Sequence, residues 1–369
     1  MAARSPDQTA VVAAEAAARP WEGLAEAARE LEAFLRKVPP AVCHVLLCHS
    51  DADGLAAGVI FLRALERSDR TALTLMATGK GESAWSAGTL RRLDEARPAA
   101  LLVLDLGSRP KPIFPGIPTL LVDHHRPLGI PPGARLISAY AWQPVSCTAA
   151  LVYWLGGTLA ELDDLDWVAA LGIIGDLGEH AMVAPLPQAR ARYGSKLLRE
   201  AASLINAARR SATGDASLAL TALLRARGPA DIAEGRLPEA RQLAALRQAF
   251  NEALADARQV MPVFSGKVAL IRVQSPYLVH PVLAQIWRGR LPNHIIMAAN
   301  EGYLPGRVNF SLRTALDVNL LDFLAAFRQG LDATELGYGH DKAMGGSLSQ
   351  DDWKRLLATL GFRRADPAR

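Results

Sequence analysis

Short apolar runs alternating with amphipathic segments from Val42 onward predict an α/β protein: a parallel sheet with helices on both faces, linked by helices to a smaller C-terminal α/β domain. Two further observations agree. At 369 residues the chain exceeds the roughly 100 to 200 usual for one domain, so two are expected. Acidic and imidazole residues fall directly after the apolar runs, where sheets of this kind bind ligands.

Taken in order, Trp21 to Val38 has helical periodicity with mixed charges and stops at Pro39-Pro40, so residues 1–40 read as a helical lead-in. Strand and helix then alternate: Val42 to Cys48 with Leu55 to Leu65, Ala72 to Met76 with Thr89 to Ala96, then the strands Leu101 to Leu104 and Thr119 to Val122. The segments Thr148 to Leu155, Asp163 to Ile174, Ala189 to Arg210 and Pro238 to Val260 predict helices, the last with Pro in its first turn. After Pro262 come three more strands, Lys267 to Val273, His294 to Ala298 and Val308 to Arg313. Helices over Val282 to Arg288, Leu320 to Phe327 and Asp351 to Leu360 complete that part. The expected domains are 41–210 for the metal-binding part, 211–262 for a helical linker and 263–369 for substrate binding.

With 50% hydrophobic and 21% charged residues the composition is that of an ordinary globular protein. No apolar stretch approaches the 18 or so residues that cross a bilayer, and Met1 to Pro20 carries Asp7 and Glu15 without a signal-peptide core. A soluble, cytoplasmic chain with no membrane partner is expected. Cys43, Cys48 and Cys147 contain no Cys-x-x-Cys pair, which argues against a disulfide framework or structural zinc site. The formal charge of +4 conceals minus 5 up to Pro185 and plus 9 beyond it, the pattern of a cation site joined to a polyanion-binding surface.

The chemistry lies in four clusters: His49-Ser50-Asp51-Ala52-Asp53-Gly54, Asp105-Leu106-Gly107 and Asp123-His124-His125, each after a strand, and Gly175-Asp176-Leu177-Gly178-Glu179-His180 at a helix end. Singly, Asp53-Gly54 reads as a turn and Asp123 as a helix cap. Jointly they fall on one edge of one sheet, where several carboxylates repel unless cations neutralise them. Mixed Asp and His ligands without thiolate suit Mn²⁺ or Mg²⁺, with Zn²⁺ or Fe as further options.

These residues resemble the DHH phosphoesterase superfamily. His49-x-Asp51-x-Asp53-Gly54 is similar to its first motif, Asp105 to its second, Asp123-His124-His125 to its third and Asp176 to its fourth. The stretch Tyr193 to Arg210 and the compact first motif look RecJ-like. The resemblance implies a phosphodiesterase with two Mn²⁺ ions, Mg²⁺ being the substitute, that generate hydroxide at neutral pH. It implies Asp51, Asp53, Asp105, His124 and Asp176 as metal ligands, Asp105 bridging. His49 stands either as a ligand or as a residue orienting one. The catalytic set is Asp105 with His125, placed for a phosphate oxygen or the leaving group, and Asp123, placed to orient an imidazole.

The second half resembles the DHH-associated C-terminal domain. Asn309-Phe310-Ser311-Leu312-Arg313-Thr314 matches its strand motif, and Gly337 to Gly346 its Gly-rich loop. Ser311, Arg313, Gly339, His340 and Gly345 are thereby implied in substrate binding, although without the first-half motifs a plain strand and hairpin is the simpler reading. Tyr338 departs from the family pattern, where Gly is usual. Among weaker signals, Gly79-Lys80-Gly81-Glu82 reads as an exposed turn and His180 as a surface residue or one near the metal. The expected function is RecJ-like hydrolysis of single-stranded DNA or short oligonucleotides, with homodimerisation left open. The alternatives are a hydrolase of small nucleotides, such as 3'-phosphoadenosine phosphate or cyclic dinucleotides, and a non-catalytic nucleic-acid-binding module.

Overall fold

In the computed structural model, residues 21–327 and 338–362 are described. They form two units, one of the residues up to Arg209 with Asp215–Ala244, the other of Arg210–Gly214 with those from Ala245 onward. Most of the segment expected as a linker therefore clusters with the first unit.

The first unit opens with α1 (Leu24–Lys37), whose buried Leu24, Ala27, Leu31, Phe34 and Leu35 recur every three or four positions. Arg70 secures its end, donating to Leu35 O at 2.9 Å, Val38 O at 3.0 Å and His44 Nε2 at 3.0 Å. The strands are β1 (His44–Cys48), β2 (Leu73–Ala77), β3 (Ala100–Leu104), β4 (Thr119–Asp123) and β5 (Arg135–Ser138), with helices α2 (Ala52–Arg67) after β1 and α3 (Ala87–Ala96) after β2. All five strands are parallel, in the order β2-β1-β3-β4-β5. Every residue of β1, β3 and β4 is buried, as expected where helices cover both faces. From β1 the chain moves outward to β2, then returns to the other side of β1 at β3. The switch point between β1 and β3 leaves a crevice at their carboxyl ends, the usual ligand position.

β5 carries no clear sequence signal, because only Ile137 of its four residues is buried and the alternation is too short to register. It follows β4 through a loop, so Asp123 ends a strand and caps no helix. The helices continue with α4 (Thr148–Gly156), α5 (Asp166–Asp176), α6 (Leu186–Tyr193), α7 (Ser195–Arg210), α8 (Ser217–Arg225), α9 (Pro229–Ala233) and α10 (Pro238–Ala257). The single helix expected over Ala189 to Arg210 is two: Gly194, at φ +81°, breaks it, a conformation glycine adopts without a Cβ clash. Among the described residues no helix is long and apolar enough to cross a membrane.

The second unit is a six-stranded mixed sheet with β6 (Val263–Ser265), β7 (Val268–Val273), β8 (Ile295–Asn300), β9 (Arg307–Thr314), β10 (Tyr338–His340) and β11 (Ala343–Ser349), in the order β10-β11-β9-β8-β7-β6. Only β7 and β8 are parallel. One face packs α12 (Leu320–Ala325) and α13 (Gln350–Thr359), with Trp353 stacked on Phe310 at 5.7 Å. The other packs α11 (His280–Arg290) and Phe250 and Ala257 of α10 against Ala269, Ile271, Ile296 and Ala298. The segment expected as a Gly-rich loop is instead a hairpin of β10 and β11 turning at Asp341-Lys342. Gly337 lies outside the described residues.

Candidate metal centre

Asp51 N-caps α2: its Oδ1 accepts from Gly54 N at 3.1 Å. That leaves Oδ2 facing inward, 2.9 Å from His49 Nδ1 and 2.8 Å from Arg209 Nη1. Gly54 lies inside the helix and is required there, since a Cβ would stand 2.5 Å from His49 O. The Asp53-Gly54 pair is therefore no simple turn. Asp53, 3% exposed, is held across the amino end of α4, accepting from Thr148 N and Ala149 N at 2.8 Å each. Free N–H groups and the helix dipole both favour a carboxylate at that end.

Asp105 follows β3 with φ +63°, a left-handed conformation that costs a non-glycine residue about 1–3 kcal/mol and recurs at functional sites. The turn aims its two oxygens apart. Oδ1 accepts from Thr148 Oγ1 at 3.0 Å and lies 3.4 Å from His124 Nε2, while Oδ2 lies 3.5 Å from His49 Nδ1. At the end of β4, Asp123 is fully used by local bonds. Its Oδ2 accepts from Gly107 N at 2.5 Å; its Oδ1 accepts from His125 N at 2.5 Å and His125 Nδ1 at 2.9 Å. Since a carboxylate only accepts, Nδ1 of His125 carries the proton and Nε2 points elsewhere. His124 Nε2 faces Asp176 Oδ2 at 3.8 Å and Asp53 Oδ2 at 3.9 Å as well as Asp105. Asp176, last residue of α5, is the most open of the five acids, its side chain 31% exposed.

Burial pushes Asp53 well above the ordinary carboxylate range, reinforced by the charges of Asp105 and Asp176. Burial and the Asp105 charge likewise raise Asp176 to about 6, against the pull of His124. Burial would raise Asp105 too, but hydrogen bonds from His124 and His49 hold it well below the usual range. The imidazoles move the opposite way: burial opposes their charge, yet Asp51 brings His49 to about 9 and Asp105 brings His124 to about 11. Without a cation the acids thus depend on borrowed protons.

The donor set fits divalent cations. His49, Asp51 and Asp105 form one group whose ligand atoms lie within 4.8 Å of one another; Asp53, His124 and Asp176 form a second; Asp105, His124 and His125 form a third. His49 Nδ1 is buried between two carboxylate oxygens, 2.9 Å from Asp51 Oδ2 and 3.5 Å from Asp105 Oδ2, so that once deprotonated its lone pair points at the position a cation would share with them. Asp105 belongs to two of the three groups, on opposite sides.

In the second unit, Ser311 stands opposite Gly345 across β9 and β11, Gly339 opposite Met344, and His340 opposite Ala343. Ser311 Oγ donates to Met344 O at 3.3 Å and Arg313 Nη1 to Leu312 O at 3.1 Å. Arg313 is partly buried, and the side chain of His340 lies outside the described residues.

The sequence matches no family model and no curated protein. Solved structures do match. RecJ from Thermus thermophilus in complex with Mn²⁺ superposes with TM-score 0.65 at 20% identity, over 95% of this chain and 56% of that one. An exonuclease RecJ bound to manganese gives 0.63 at 21% identity, over 94% and 96%. The DHH domain of a member of the S1p family of ribosomal proteins gives 0.66 at 14% identity, over 92% and 90%. The chain has the RecJ-like DHH fold. It spans a little over half the length of the Thermus RecJ.

Three residues of this centre escape the sequence reading. Arg209 meets Asp51, Asn206 Oδ1 accepts from Ala52 N at 3.0 Å, and Thr148 meets Asp105. A signal exists for Asn206: it is 9% exposed on the apolar face of α7, among Ala202, Ile205 and Ala208, where a polar side chain needs a partner. His180 is exposed, with a side chain 94% accessible, apart from the cluster. Glu82 occupies the Gly79-Lys80-Gly81 turn, accepting from Gly79 N, Thr89 and Arg92.

Proposed function

We propose that this chain is a divalent-metal phosphodiesterase that hydrolyses single-stranded nucleic acid or short oligonucleotides to mononucleotides, with two Mn²⁺ ions preferred and Mg²⁺ as substitute. The observation that carries this reading is the turn at Asp105, which presents one oxygen toward His49 and the other toward His124. His49, Asp51 and Asp105 would hold one ion, and Asp53, His124, Asp176 and Asp105 the other. Bound there, such ions lower the pKa of water and neutralise charge on a transferring phosphate.

The side chains divide the remaining work. Asp123 anchors His125 through Nδ1, which fixes the direction of Nε2. Burial opposes the His125 charge, but the Asp123 carboxylate outweighs it and shifts the imidazole pKa upward, which favours the form in which Nε2 carries a proton for the leaving oxygen. Thr148, Ala149 and Arg209 keep the carboxylates in place before substrate arrives. Arg313, whose planar fork suits phosphate, is assigned to substrate binding together with Ser311, Gly339, Gly345 and His340.

The test is hydrolysis by the full chain of 5'-labelled single-stranded DNA and RNA from two to twenty nucleotides, beside 3'-phosphoadenosine phosphate and a cyclic dinucleotide, with Mn²⁺, Mg²⁺ or EDTA. Mononucleotide release from oligonucleotides that stops in EDTA supports the proposal. Turnover of the small nucleotides alone would transfer it to that class, and metal-independent binding without product would make the chain a binding module.

A further inference from the structure

Helix α4 is capped from outside. Its N-cap residue, Cys147, makes no side-chain hydrogen bond, and the N–H groups of Thr148 and Ala149 go to the two oxygens of Asp53. The side chain of Thr148 is therefore not needed by its own helix. Nor can it bond backward, as a threonine hydroxyl does in mid-helix, because no helical turn precedes the first residue of α4. Fully buried, it turns instead to Asp105, where Oγ1 donates to Oδ1 at 3.0 Å. A carboxylate only accepts, so the direction of that bond is fixed.

Among the described residues this is the shortest contact of the Asp105 carboxylate. His124 Nε2 stands 3.4 Å and His125 Nδ1 3.8 Å from Oδ1, and His49 Nδ1 stands 3.5 Å from Oδ2. The two nearer imidazoles change role when a cation arrives, since nitrogen ligands bind as the free base and a lone pair donates no hydrogen bond. The Thr148 hydroxyl keeps its role. Rotation of an aspartate carboxyl about its Cβ–Cγ bond has little preference of its own, so a fixed donor on one oxygen decides where both oxygens point. Through its N–H the same residue holds Asp53 Oδ2 at 2.8 Å. One residue of α4 thus registers two carboxylates against each other. Threonine suits the task, because branching at Cβ stiffens χ1.

We propose that Thr148 is a positioning residue whose hydroxyl fixes the carboxyl torsion of Asp105, so that Oδ1 meets the group of Asp53, His124 and Asp176 while Oδ2 meets that of His49 and Asp51. The inference rests on the two-ion reading of the site. Turning the carboxyl moves both oxygens at once, so the bridge depends on a hydroxyl that is not itself a ligand.

Thr148→Val keeps the branched shape and the N–H to Asp53 and removes only the hydroxyl. Crystals of the full chain and of the variant are equilibrated with graded Mn²⁺ and read by anomalous scattering, beside calorimetric titration of Mn²⁺ in solution and a thermal melt in EDTA. Wild type is expected to show paired peaks with one Asp105 oxygen on each. In Thr148→Val, Asp105 is expected to contact a single peak and Mn²⁺ affinity to fall about 10- to 100-fold, the usual cost of losing a residue that orients a ligand. Thr148→Ser, which returns the hydroxyl, is expected to restore both. A lowered melt with the bridge and the affinity of wild type would reduce Thr148 to a structural residue and overturn the proposal. If Thr148→Val does not fold, Thr148→Ala is judged by the same readings. Absence of paired peaks in wild type would overturn the two-ion reading and this inference with it, whereas a Thr148-dependent pair in a chain that hydrolyses nothing sinks the activity alone.

Discussion

Arg209 Nη1 lies 2.8 Å from Asp51 Oδ2, the same oxygen that faces His49 Nδ1 at 2.9 Å. A cation from α7 thus holds the carboxylate in the direction a metal requires. Losing a partner of this kind typically costs 10- to 100-fold in metal affinity or activity. Arg209→Gln is expected to lower kcat by about that factor at saturating Mn²⁺, with KM for an oligonucleotide little changed. A KM effect at unchanged kcat would mean that Arg209 contacts substrate instead.

Protons should leave when metal enters. In the metal-free chain His49 titrates at about 9 and His124 at about 11, so both are protonated at neutral pH. Nitrogen ligands bind as the free base. Calorimetry of Mn²⁺ binding in buffers of different ionisation enthalpy is expected to show net proton release near neutral pH, to which both imidazoles contribute, with affinity rising as pH rises. The linked stability has the opposite sign. Both folded-state pKa values exceed the ordinary imidazole value of about 6.5. Their contribution to folding is therefore complete below that value and is lost as pH rises through about 9 for His49 and about 11 for His124. The Tm of chelated protein should fall over that range more than the Tm of Mn²⁺-loaded protein. Parallel curves would refute the assignment of both imidazoles.

Much of this centre is legible in the sequence because its residues follow strands, and a strand fixes where its next residue goes. Alternation alone places His49, Asp51, Asp105 and Asp123 on one edge. Arg209 and Asn206 are not legible, because they reach Asp51 and Ala52 from a helix more than 150 positions away, and nothing local encodes that packing. The split at Gly194 is equally hidden: the apolar rhythm continues across it, and only the positive φ reveals the break. The strands β10 and β11 escape because Gly-Gly pairs read as loop, whereas here Gly345 and Gly346 sit in the ladder opposite Ser311 and Phe310.

Gly172 sets how closely α5 approaches the site. A Cβ there would collide with Ala149 Cβ and stand 3.0 Å from Asp53 Oδ1. Neither neighbour can retreat, since Asp53 is bonded to the backbone of Thr148 and Ala149. Gly172→Ala is expected to destabilise the fold by about 1–3 kcal/mol, the usual cost of overpacking, and to weaken Mn²⁺ binding at the same time. Denaturant melts and metal titration of one preparation check both. A stable variant with unchanged metal affinity would show that α5 has room to move.

Asn206→Ala isolates support from chemistry. Its Oδ1 is the acceptor for Ala52 N, a buried donor in the first turn of α2 between Asp51 and Asp53. Removing it leaves that N–H unsatisfied, at about 1–3 kcal/mol. The same turn carries two proposed ligands, so weaker metal binding should accompany the lost stability, and excess Mn²⁺ should restore much of the Tm by mass action. Asp105→Asn is the contrast. It keeps an oxygen near Thr148 but loses the charge shared by His49 and His124, and it is expected to abolish turnover of every substrate at any Mn²⁺ concentration. Arg313→Ala should mainly raise KM. Full activity in both Asp105→Asn and Arg313→Ala would place the chemistry elsewhere on the chain.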